Sequence, residues 1–174
     1  MTHYEKNEMS RALTYAGIGN RDLPIEMYPL LRNVAKRLEH HGYTLMSGGA
    51  QGADSAFAST VSDKRVWTVK DMERLDGKFG YELHREVAEF HHPAWWKLSS
   101  YIQQLMVRNV YIVRGTNYWS APSFVLCYAK NESRGGTSHS LRVARAVNIP
   151  VYNLAKGDPI KVLEQLALDF NLRR

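Results

Sequence analysis

Three times along this 174-residue chain a short apolar run breaks into glycines and is followed by residues at helical spacing, and this recurrence constrains the fold more than any other feature. The runs are Leu13–Gly19, Tyr43–Met46 and Ser123–Ala129. Each reads as a strand that passes through a glycine turn into a helix. Between Ile25 and His41 the apolar residues Met27, Leu30, Leu31, Val34 and Leu38 recur every three or four positions, so this segment is predicted to be a helix lying on a sheet, closed by Gly42. Lys64–Val69 has the β-branched content of another strand, and Ile149–Leu154 that of a last one before a helix over Asp158–Phe170. Strands alternating with helices build a parallel sheet covered on both faces. The fold class is therefore α/β, doubly wound, with a mostly parallel sheet of about five strands. The size suits one domain spanning the whole chain, with residues 1–11 read as a polar arm.

Two stretches fit this frame less directly. Lys70–His92 carries charges on several faces and is interrupted by Gly77 and Gly80, which predicts a long excursion with at most one helix, around Tyr81–Glu89. His91–Trp96 reads as the opening of a longer helix whose Leu98, Tyr101, Ile102, Leu105, Met106, Asn109 and Val110 share a face, ending by Gly115. A further helix is expected over Ser140–Val147.

In a doubly wound sheet, ligands bind where loops leave the carboxyl ends of the strands, near the point where strand order reverses. The loops Gly17–Arg21, Ser47–Asp54 and Arg134–His139 all leave such ends. Glycines there permit positive φ and close approach, and the free N–H groups at a helix start favour an anion. A phosphate is the natural ligand. The candidate binding residues are Gly17, Gly19, Asn20, Arg21, Ser47, Gly48, Gly49, Gly52, Asp54, Arg108, Asn109, Gly135, Gly136, Thr137, Ser138 and Arg142. Asp54 either caps its helix or reaches a sugar hydroxyl. Arg21 is read equally as a phosphate contact and as a solvated loop residue.

The formal charge of +6 suits a protein that meets phosphate, whether on a nucleotide or a polynucleotide. Trp95, Trp96, Tyr118 and Trp119 are candidate stacking faces for bases, set against a core role for aromatics beside a long helix. The lone Cys127 lies in an apolar run and reads as a buried, inert thiol. His91 and His92 diverge and lack a third ligand, so no metal site and no cofactor is expected. No Walker lysine or Gly-x-Ser-x-Gly elbow is present, which removes P-loop ATPase and serine hydrolase readings. No apolar run approaches about 18 residues and the first residues lack the apolar core of a signal peptide, so a cytosolic protein is expected.

The stretch Ser47-Gly48-Gly49-Ala50-Gln51-Gly52-Ala53-Asp54 resembles the SGxAxGxD motif of the DNA-processing protein A (DprA) family, and Arg108-Asn109 resembles that family's RN pair. The wider group is the SLOG superfamily, which also holds the LOG phosphoribohydrolases. In those enzymes an RK arginine and the glutamate of PGGxGTxxE act on a nucleoside monophosphate. Arg108 matches the arginine and Gly135-Gly136 the glycines, whereas Arg142 falls where the family has its glutamate. A cation cannot stabilise an oxocarbenium-like centre as a carboxylate does. The resemblance, which covers roughly Leu13–Leu154, implies a Rossmann-like core that binds single-stranded DNA, often as a homodimer. This chain has room for that core and not for the flanking domains of longer family members. The alternatives are N-glycosidic cleavage of a nucleotide, with Asp54, Glu132 or His139 as weak candidates for the chemistry, and a receptor for a nucleotide-derived signal.

Overall fold

The computed structural model describes residues 13–116 and 120–172. The expected arm at residues 1–11 and the Tyr118-Trp119 pair lie outside the described residues. Five strands pair in the order β3-β2-β1-β4-β5, with every neighbour parallel: β1 (Thr14–Gly19), β2 (Thr44–Ser47), β3 (Lys64–Val66), β4 (Val125–Tyr128) and β5 (Val151–Asn153). The helices among the described residues are α1 (Met27–His40), α2 (Ala53–Ala58), α3 (Val69–Leu75), α4 (Phe79–Phe90), α5 (Ser100–Arg114), α6 (Gly135–Ala146) and α7 (Pro159–Asp169). Likeness to a Rossmann-like α/β architecture follows directly from this order.

Alternation along the strands splits the core in two. Tyr15, Leu45, Leu126 and Tyr128 point to one face, where they meet Leu31, Leu38, Phe57 and Leu166 from α1, α2 and α7. Ala16, Ile18, Met46, Val125 and Cys127 point to the other, against Met72, Tyr81, Val110 and Leu141 from α3, α4, α5 and α6. Both faces of the sheet are dry, which is why the strands read as near-continuous apolar runs. Each fully buried large side chain, such as Phe57 or Leu126, contributes about 1.5–3 kcal/mol by leaving water.

The local signals at the helix ends are specific. Ser99 Oγ accepts from the N–H of Ile102 to start α5, and Asp158 accepts from Ile160 to start α7, with Pro159 in the first turn. Three expectations need correction. Two helices, not one, occupy Lys70–His92, because Thr68 and Asp71 form a reciprocal capping box that starts α3. His91–Trp96 does not open the long helix: a single 3-10 turn at Trp95–Lys97 ends where Leu98 turns extended, and α5 begins only after the Ser99 cap. Finally, α6 starts at Gly135, five residues earlier than the expected Ser140, so the glycine pair lies inside its first turn.

The register levels the ends that matter. Gly19 pairs with Tyr128, so β1 and β4 finish side by side at the point where the strand order reverses. Asn20 then fastens the two outgoing loops: its N–H donates to Tyr128 O at 2.9 Å, and its Oδ1 accepts from the Lys130 N–H at 2.8 Å.

A candidate anion site at the strand ends

Above the ends of β1 and β4 lies a cavity of about 610 Å³. Its floor is Gly19, Asn20, Arg21 and Asp54, one wall is the Ile102, Leu105, Met106, Arg108, Asn109 and Ile112 face of α5, and the opposite wall is the start of α6 with Arg134, Gly135, Gly136 and Thr137. Arg142, His92 and Pro93 close the far end. Four arginines, Arg21, Arg108, Arg134 and Arg142, face a single carboxylate, Asp54, so the cavity favours an anion.

Asp54 sits in the first turn of α2 and is only 4% exposed. Its Oδ1 accepts from the Gly19 N–H at 3.0 Å and its Oδ2 from the Gly48 N–H at 3.2 Å. It therefore neither caps its own helix nor projects a free oxygen toward a sugar. Burial pushes the carboxyl up to about 6, while the Arg108 charge and the N–H groups of Gly19, Gly48 and Ala50 pull the other way.

Arg108 projects from α5 onto the same place. Its Nη1 donates to Gly48 O at 3.3 Å and its Nη2 to Asn109 Oδ1 at 3.0 Å, and Nε is buried without a hydrogen-bond partner. Burial lowers its pKa and Asp54 partly restores it, with Arg21 as a further repelling charge. Asn109 continues the chain, donating from Nδ2 to Gly136 O at 3.2 Å. One path of hydrogen bonds thus runs Gly19–Asp54–Gly48–Arg108–Asn109–Gly136 and ties all three glycine turns together. Gly48 has to be glycine for this: a Cβ there would stand 2.9 Å from Arg108 Cζ and 3.0 Å from Asp54 Oδ2.

The structure brings Gly19, Asn20, Arg21, Asp54, Arg108, Asn109, Gly135, Gly136, Thr137 and Arg142 to the cavity. Other expected residues stand behind it. Ser47 Oγ donates to Gly17 O at 2.8 Å, joining β2 to β1 within the sheet. The Gly48 N–H belongs to Asp54, so the second glycine turn does not offer that group to a phosphate, contrary to the sequence expectation. Gly49 turns back over Val66, and Gly52, at φ +89°, lies so close to Asn20 O and Arg21 O that a Cβ would be 2.4 Å from each. These positions shape the floor rather than line it.

Ser138 is fully buried and accepts from Arg142 Nη1 at 2.7 Å, while Arg142 Nε donates to His91 O at 3.1 Å. His139 points away from the cavity into the α4 packing: Nε2 lies 3.0 Å from Ala88 O, and Nδ1 is buried without a partner. Burial lowers this imidazole to about 4, with the hydrogen bond to Ala88 opposing. Glu132 also lies outside the cavity lining, its oxygens taken by Asn153 Nδ2 at 2.7 Å and Arg145 Nη2 at 2.9 Å. Trp95 is core and Trp96 is 76% exposed. Cys127 is buried, and burial pushes its thiol up to about 12. No cluster of three or more His, Cys, Asp or Glu able to hold a metal occurs among the described residues, and no described helix is long and apolar enough to cross a membrane.

The candidate binding residues left out Arg134, although it opens the loop Arg134–His139 named among the ligand loops, and the apolar wall of Ile102, Leu105 and Met106. Arg134 carried a usable signal, a cation immediately before a glycine-led helix. The wall did not, because residues on the sheet-facing side of α5 and residues lining a cavity share the same spacing.

No protein-family model and no curated protein matches this sequence. Among solved structures, the chain is similar to DNA processing protein A from Helicobacter pylori, described for its single-stranded DNA binding mode. The two share 16% identity with a TM-score of 0.52, over 94% of this chain and 74% of the other. The likeness extends over nearly all of the chain and is one of fold.

Proposed function

We propose that the cavity binds one nucleotide unit of single-stranded DNA, with its phosphate between Arg108 and the first turn of α6 and its base against the Ile102–Met106 face of α5. The observation that carries this is the pairing of a guanidinium that lines the cavity, fixed at Gly48 O and Asn109 Oδ1, and a twelve-residue helix whose N-terminus has no side-chain cap. Oriented N–H groups and an immobilised fork hold a phosphate without further ordering. The fold likeness to a protein that binds single-stranded DNA supports a polynucleotide over a free nucleotide. Four arginines against one carboxylate supply the field.

Fluorescence anisotropy of a labelled single-stranded oligonucleotide across a salt series tests this. Affinity should fall steeply with salt, since phosphate contacts release counterions. Weak binding that is flat with salt refutes it. The resemblance noted above extends the proposal to a homodimer within the SLOG superfamily, which light scattering of the free protein checks. Tight mononucleotide binding without oligonucleotide binding would instead favour a receptor for a nucleotide-derived signal.

A second reading, LOG-like cleavage of an N-glycosidic bond, has one observation in its favour: Asp54 lines the cavity and burial pushes its carboxyl up to about 6, where it can carry a proton. Both its oxygens are already engaged, and Glu132 and His139 face elsewhere. Release of free base from nucleoside monophosphates, followed by chromatography, decides between cleavage and binding.

A further inference from the structure

A buried carboxylate beside a proposed phosphate site needs a physical reason, because two anions that share one cation repel. Asp54 is the counter-charge of Arg108 in the free protein, at the junction of the loops after β1 and β2. A phosphodiester that seats on Arg108 places a second negative charge against the same guanidinium, out of bulk water. We infer that Asp54 is a positioning residue that takes up a proton from solvent when an anion occupies the cavity, so that it goes on holding the glycine turns while ceasing to repel the ligand. The inference rests on the phosphate-binding reading above.

The geometry accommodates the proton. Oδ1 keeps its 3.0 Å bond from Gly19, and Oδ2, with the longer 3.2 Å bond from Gly48, can carry the hydrogen and still accept through a lone pair. The carboxyl is poised for this, since burial already raises it to about 6. Of the other charged groups, Arg108 from α5 acts on it directly, and Arg21 from the loop after β1 and Tyr101 from the first turn of α5 act on Arg108. Across the cavity His92 is the other titratable group, and burial and Arg142 lower its pKa.

The sign is fixed by linkage. The anion-bound protein has the higher Asp54 pKa, so lowering the pH favours binding until the free carboxyl is itself protonated. Affinity for oligothymidylate, whose phosphodiesters and bases keep constant charge over this range, should rise as pH falls from about 8 to about 6, by up to tenfold per pH unit, and level off below. Asp54→Asn should flatten the profile. His92→Gln should keep its slope, which separates Asp54 from the histidine. If Asp54→Asn does not fold, calorimetry of the parent protein at pH 7 in two buffers of different ionisation enthalpy reads proton uptake directly. Tight binding with a flat profile and no buffer dependence overturns the inference and leaves the phosphate-binding reading standing. A slope that persists in Asp54→Asn, or vanishes in His92→Gln, also overturns it. Absence of oligothymidylate binding at every pH overturns both.

Discussion

Arg108→Lys keeps the charge and removes the fork, so it separates what the guanidinium does for the fold from what it does for a ligand. In the parent protein Nη1 and Nη2 reach Gly48 O at 3.3 Å and Asn109 Oδ1 at 3.0 Å, two acceptors that a single ammonium cannot span from the same backbone position. At least one bond is lost, worth about 0.5–1.5 kcal/mol, and the remaining charge sits less well against buried Asp54, which brings the expected loss to about 1–3 kcal/mol. A domain of this size loses roughly 2–4 °C in melting temperature per kcal/mol, so a fall of several degrees is expected rather than the unchanged melting of a purely ligand-facing residue. Binding should weaken further. A charge-assisted bond to phosphate contributes about 1.5–3 kcal/mol, and at about 1.4 kcal/mol per decade the oligonucleotide affinity should drop about tenfold to a hundredfold. Melting followed by circular dichroism and anisotropy titration at fixed salt give the two numbers. A variant that melts lower but binds like the parent would show that Arg108 is structural only. One that matches the parent in both would show that the hydrogen-bonded path through Asp54, Arg108 and Asn109 holds nothing together.

Gly48→Ala should weaken oligonucleotide binding at least about tenfold, measured by anisotropy, because its Cβ would displace the Arg108 fork from 2.9 Å away. His139 is held neutral in the fold, with a pKa of about 4 against 6.5 in the unfolded chain, so stability should fall by up to about 3 kcal/mol as pH drops from 6.5 to 4. Asp54 gains stability over the same interval, so the loss is read as the difference between the parent and His139→Phe in urea titrations at the two pH values, where the Asp54 contribution cancels. Asp54 works in the opposite sense: its carboxyl is raised in the fold, so its contribution is present at low pH and lost as pH rises through about 6. Thr68→Ala, which removes the capping box of α3, should cost about 1 kcal/mol by the same urea assay and leave affinity unchanged.

Much of the fold was legible because both kinds of periodicity were strong. The spacing of Met27, Leu31 and Leu38 marks a helix with one buried stripe, and Val125–Tyr128 is apolar throughout because both of its faces are covered. The α3 helix was missed although Thr68-x-x-Asp71 stood in the sequence, since a short helix among charges has little apolar pattern to display. At the site, the identities of Asp54, Arg108, Asn109 and Gly136 were recoverable, but not how they are connected. Whether the Gly48 N–H faces a ligand or a neighbouring carboxylate depends on distances across three loops, which no local pattern encodes. His139 was misplaced for a related reason: three residues beyond Gly136 on α6, it looks across to Ala88 on α4 instead of into the crevice.

The hydrogen-bonded path through the glycine turns joins partners 35, 60 and 27 residues apart in the chain. No contiguous piece shorter than the whole span from β1 to the start of α6 contains every member, so the site is absent from any nascent or clipped form until β1, β2 and β4 have docked and α5 has settled across them. Long-range contacts of this kind form late in folding, after the entropy of closing large loops has been overcome. A stoichiometric ligand titration would therefore count fully assembled molecules in a preparation, excluding compact but incomplete ones that secondary-structure spectroscopy scores as folded.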